Sequence, residues 1–214
     1  MYVDYIVQNI RKQVPFMPNP STYPYRRFPT IQVDAAAHAA RGTDAVKQEL
    51  RALCAGSNKT VVTVECYPGT DQAEILALFP HAELIIHADD LAISPAELDA
   101  KIEHELTDDP VFGIMTTWQM KDFYPEEALR AVREKIDAVT DGLVLVYGVG
   151  ASLVERADIT IYADITRWEI QLRFRKGQDN WHTAMHDLPQ RAKYKRGYFA
   201  AVSYTHLRAH ETGR

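Results

Sequence analysis

The amino-acid sequence predicts an α/β fold of three layers, a mostly parallel sheet with helices on both faces. Three observations carry this. Short apolar, β-branched runs recur at Lys59–Glu65, Ala82–His87, Leu143–Tyr147 and Ile159–Ala163, and such continuous runs belong to strands buried on both faces. Stretches with helical spacing alternate with them, as βαβ units require. Residues 142–177 repeat the scheme in miniature, reading strand, glycine turn, strand, helix.

The first 27 residues share five prolines with the two that follow, up to Pro29, and read as an extended arm laid over a domain spanning 28–178. Phe28–Val33 is a candidate edge strand, because Pro29 has no N–H to give to a central ladder. Val46, Leu50 and Leu53 recur at three- and four-residue steps, predicting a helix over Thr43–Cys54 that Gly56 ends. The strand Lys59–Glu65 runs into the turn CYPGTD and a helix over Asp71–Phe79. A Walker loop at this turn would need several glycines and a lysine before Ser or Thr. Here Pro68 removes an N–H, Gly69 stands alone, and Glu65 and Asp71 bring negative charge.

The strand Ala82–His87 ends at Asp89-Asp90, carboxylates placed to bind a metal, to abstract a proton or to form a solvated turn. Ser94-Pro95-Ala96-Glu97 has cap, first-turn proline and closing glutamate for a helix start. Residues 107–113 read as a loop or short strand entry, and Tyr124-Pro125 opens a helix reaching Val139. Leu143–Tyr147 is the central strand, broken by Gly148 and Gly150. Thr166 to Glu169 has the capping-box spacing for a helix that Gly177 ends. Ligands of open α/β sheets sit beyond the carboxyl ends of the strands, which makes Tyr147, Gly148, Gly150, Asp164 and Arg167 candidate site residues. Residues 179–202 mix aromatics with Arg191, Lys193, Lys195 and Arg196, a flap that either closes over an anion or is simply solvated.

Composition narrows the classes. With 24 Lys+Arg against 29 Asp+Glu the net charge is -5, which argues against a nucleic-acid partner. Cys54 and Cys66 form no disulfide framework or metal motif and fit a reducing cytoplasm. No apolar run approaches a membrane span and no export leader opens the chain. His182 and His186 have helical metal spacing but no third ligand, so no metal is expected. Gly148-Val-Gly150 begins like a dinucleotide fingerprint, yet about seven residues separate it from the next strand, too few for a crossover helix. Neither Ser152 nor Cys66 has the context of a nucleophile.

VVTVECYPG, ELTDDPVFG, LVLVYGVGASLV, YADITRWEIQLRFRKG and KYKRGYF, in this order over residues 28–200, resemble the N-terminal region of bacterial class I mannose-6-phosphate isomerases that carry a long domain before their cupin. The resemblance implies a binding or regulatory domain ahead of a missing zinc cupin that interconverts mannose 6-phosphate and fructose 6-phosphate. No cofactor is then expected in this chain, and the partners are that cupin and a sugar phosphate or nucleotide. At the level of fold, VYGVGA followed by DITIYADITRWEIQLRFRKG is similar to the distal half of uridine-kinase-type P-loop proteins. This implies a degenerate kinase-like module lacking Gly-Lys-Ser/Thr at Tyr67–Asp71, with Arg167, Arg173 and Arg175 on a phosphate and Lys193, Lys195 and Arg196 as flap. The alternatives are a small-molecule kinase with Asp89 or Glu65 as base, and a structural docking domain. SYTHLRAHETGR at 203–214 resembles translated sequencing adapter and is expected to be a non-native tail on a truncated product.

Overall fold

Strand β1 (Lys59–Cys66) is buried from its second residue to its last, because its β-branched side chains face packed helices on both sides. The computed structural model describes residues 41–200. The expected arm, the edge strand Phe28–Val33 and the tail 203–214 lie outside the described residues. Four strands form one sheet in the order β2-β3-β1-β4, with β2 (Leu84–His87), β3 (Gly142–Gly148) and β4 (Ile159–Ala163). Every pairing is parallel: Lys59 faces Gly142, Val62 faces Ile159, and Leu84 faces Val144.

Alternation along the strands sends side chains into two cores. On one face Val62, Val64, Leu145 and Tyr147 pack with α1 (Thr43–Cys54) and α2 (Gln72–Leu76). On the other, Val61, Val144 and Val146 pack with α3 (Pro95–Lys101) and α5 (Glu126–Ala138). Short helix α4 (Glu103–Leu106) follows α3, while α6 (Arg167–Arg175) and α7 (Gln190–Lys195) lie after the sheet in sequence. Ser94 and Glu97 close the capping box of α3. Thr166 Oγ accepts the Glu169 N–H at 3.2 Å to start α6. Among the described residues no helix is long and apolar enough to cross a membrane.

The link from β3 to β4 must pass β1 in few residues, and a single 3-10 turn, Ala151–Val154, does so. Ala151 and Val154 are fully buried against the α5 face. Arg133 of α5 caps the turn, donating from Nε to Val154 O at 3.0 Å and from Nη2 to Leu153 O at 2.9 Å. Consequently β1 exits toward α2 on one face and β3 exits toward the other. Adjacent parallel strands that leave in opposite directions open a crevice at their carboxyl ends.

Candidate functional site

The turn after β3 aims three backbone N–H groups, those of Val149, Gly150 and Ser152, at the mouth of this crevice. Such a nest attracts an anion, and the protein supplies its own. Glu65, the penultimate residue of β1, accepts from Gly150 and Ser152 at 2.7 Å each. Asp89, just beyond β2, accepts from Val149 at 2.8 Å. Gly148 has φ +122°, and a Cβ there would lie 2.6 Å from Asp89 Oδ1, so only glycine lets the carboxylate approach. Tyr124 closes the turn, donating its hydroxyl to Val149 O at 2.5 Å.

Burial raises the Glu65 carboxyl above its usual range and outweighs the two N–H bonds and the Ser152 side chain that lower it. Burial also pushes Asp89 upward, but His87, Gln72 and the Val149 N–H together hold it below its ordinary value. Gln72 donates to Asp89 at 3.0 Å. His87 Nε2 lies 3.5 Å from Asp89 and Nδ1 lies 3.2 Å from Asp90, and contact with Asp89 is the first cause that raises the imidazole.

Beyond this sealed turn lie two chambers that share Tyr67, Gly69 and Trp181. The first, of about 630 Å³, is walled by Leu98, Ile102, Phe123, Phe174, Tyr194 and Phe199. Arg167, Arg191, Lys195 and Arg196 also line it, with no carboxylate among its described lining residues. Arg196 is buried and ion-paired to Asp99. Lys195 donates to the carbonyls of Thr107, at 3.1 Å, and Asp109. The second chamber, of about 660 Å³, is polar and includes Gln72, Asp89, Glu169, Arg173, Lys176 and Gln178.

The profile of a domain of unknown function (DUF8485) matches residues 42–206, well over half of the chain. The chain belongs to this family. No curated protein and no solved structure matches it. The DUF8485 span takes in all four strands and every residue that lines either chamber.

Within the DUF8485 domain the residues singled out from the sequence are distributed as follows. Glu65, Asp89, Gly148 and Gly150 meet at the sealed turn. Tyr147 is buried beneath His87, ring centroids 4.9 Å apart, and Asp90 is exposed. Asp164 accepts the Ile165 N–H at 2.8 Å. The three arginines of α6 diverge: Arg167 lines the apolar chamber, Arg173 the polar one, and Arg175 stacks on exposed Trp168 at 5.3 Å. Successive helical residues are turned by about 100°, so positions 173 and 175 point to nearly opposite sides. Arg173 is anchored, donating to Gly69 O at 2.6 Å and Glu169 at 3.0 Å.

Of the cationic segment near α7, Lys193 is a buried tie to Asp179 at 2.8 Å. Residues 182 and 186 are not helical; His182 Nε2 lies 2.6 Å from Ile93 O and His186 bonds Asp179 at 2.9 Å. Among the described residues no group of three or more His, Cys, Asp or Glu is placed to hold a metal. Burial pushes the Cys66 thiol up to about 12, so it stays protonated near neutral pH.

The sequence reading missed the apolar chamber. Its walls come from α3, the irregular stretch before α5, α6 and α7, which no single periodicity joins. The available signal was the run Val111-Phe112 with Ile114-Met115, apolar residues in a loop that remain exposed.

Proposed function

We propose that this domain binds a phosphorylated ligand with an aromatic or apolar body, a nucleotide in preference to a bare sugar phosphate, and that it binds without transferring phosphoryl groups. The observation that carries the reading is the chamber of about 630 Å³ with apolar walls and four cationic side chains. Its volume suits a small-molecule ligand. Guanidinium forks match phosphate oxygens, and stacking a base on an aromatic ring contributes on the order of 1–3 kcal/mol. A hexose phosphate instead brings hydroxyl groups that cost about 1–3 kcal/mol each when buried without partners.

The sealed turn speaks for binding rather than transfer. Its N–H groups are occupied by Glu65 and Asp89, and the turn after β1 has no lysine. The likeness to uridine-kinase-type proteins supports a module that kept a nucleotide-sized pocket without a working phosphate loop, on grounds of analogy. The likeness to the N-terminal region of mannose-6-phosphate isomerases supports a regulatory place beside a zinc cupin in the cytoplasm, where nucleotide occupancy would adjust isomerase output.

Isothermal titration with GDP, UDP, ATP and mannose 6-phosphate tests the reading. A nucleoside phosphate is expected to bind and to raise the melting temperature, with mannose 6-phosphate much weaker. Arg191→Ala, an exposed change, is expected to weaken nucleotide binding about tenfold, equivalent to about 1.4 kcal/mol. Failure of every nucleotide to bind would remove the proposal.

A further inference from the structure

We infer that the polar chamber is a sugar subsite and that the ligand class is a nucleoside diphosphate sugar; this rests on the nucleotide reading of the apolar chamber. The two cavities adjoin, with Tyr67, Gly69 and Trp181 lining both. Each alone has the volume of a ligand site, so a mononucleotide filling the first leaves the second open.

The chemistry of the second chamber selects what extends into it. Its cations Arg173 and Lys176 face the carboxylates of Asp71, Asp89 and Glu169, and Arg173 is already paired with Glu169. A further anion gains little there. Donors and acceptors are instead interspersed: the Gln72 and Gln178 amides, the Lys176 ammonium and the Asp71 carboxylate. Sugar hydroxyls, which each donate and accept, fit such a surface. Trp181, shared by both cavities, offers a ring to the C–H face of a pyranose. Lys176 and Gln178 are exposed, and their side chains have no hydrogen-bond partner among the described residues. They are the groups free to meet a ligand.

The diphosphate then lies at the junction, beside the turn Tyr67–Gly69. The base occupies the aromatic chamber with Arg191 and Lys195 at its side, and the sugar occupies the polar crevice. A phosphomonoester sugar would fill the crevice alone and leave the cationic chamber empty.

Titrations of the full chain with GDP and GDP-mannose, and in parallel with UDP and UDP-glucose, decide the matter. One of the sugar-linked forms is expected to bind at least about tenfold tighter than its parent diphosphate. The double variant Lys176→Ala, Gln178→Ala is expected to reduce the linked form to the affinity of the diphosphate while leaving the diphosphate unchanged. Arg191→Ala should weaken both. If each linked form binds no tighter than its parent, or the double variant weakens parent and linked form alike, the sugar subsite is wrong and the nucleotide reading stands. If neither GDP nor UDP binds in either form, the sugar subsite falls, and the nucleotide reading falls with it when ATP also fails to bind.

Discussion

Glu65 is the residue on which the carboxyl edge of the sheet depends. It reaches from β1 to the turn after β3 and satisfies two N–H groups that have no other hydrogen-bond partner among the described residues. Each buried donor left unsatisfied costs about 1–3 kcal/mol, so Glu65→Ala should destabilise the domain by about 2–4 kcal/mol once relief of the buried charge is allowed for. Urea denaturation at pH 7 reads this directly; a loss below 0.5 kcal/mol, on the order of a surface change, would mean the turn holds without it. His87 makes a second residue-scale prediction. Asp89 raises its pKa above the ordinary 6.5, so the stabilisation from protonation is complete below 6.5 and is lost as pH climbs through the raised value. Asp89, held below its ordinary 3.8, contributes above that value and fades only as pH falls through the lowered one. The stability gap between the native chain and His87→Asn should therefore be widest near pH 6 and shrink toward pH 9. A gap that stays flat over this range would remove the ion pair from the account.

At the scale of elements, the helices divide into those that hold the sheet and those that shape the cavities. Helix α5 buries Leu129, Val132 and Ile136, and Ile136 is 1% exposed. Ile136→Ala should cost about 2–5 kcal/mol, measured as a shift in urea midpoint with unchanged slope. Helix α6 has no fully buried residue; it is fixed by its Thr166 cap, by Arg173 on the Gly69 carbonyl and by packing near α7. The same helix contributes Arg167 to one chamber and Arg173 to the other, so the cavities share a wall with few apolar anchors. The strands and helices were legible because period and branching are local properties: Ile159–Ala163 and Thr43–Cys54 carry their signals within themselves, as does the Ser94 to Glu97 box. What was not legible is convergence. Glu65 and Asp89 lie on different strands, and the N–H groups they satisfy follow a third. Sequence marked both as acids at strand ends, suited to metal or proton chemistry. That their charge is spent on backbone donors is visible only once β1, β2 and β3 are side by side. The apolar chamber was hidden for the same reason, since Leu98, Phe123, Phe174 and Tyr194 come from four separate segments.

For the whole molecule, membership in DUF8485 ties sheet and cavities to one inherited unit, the matched span enclosing both. The strand order β2-β3-β1-β4 also has a consequence in time. Among the described strands β1, which lies between β3 and β4, is the first to be synthesised, and both of those neighbours are the last. Lys59 waits for Gly142 and Val62 for Ile159. At about 5–20 residues per second, β1 leaves the ribosome on the order of 4–16 s before β3, the earlier of its two described partners, is complete. During that interval a β-branched segment with two open edges is available to other chains. A chaperone or a translational pause that acts between these two moments would meet β1 before its partners exist.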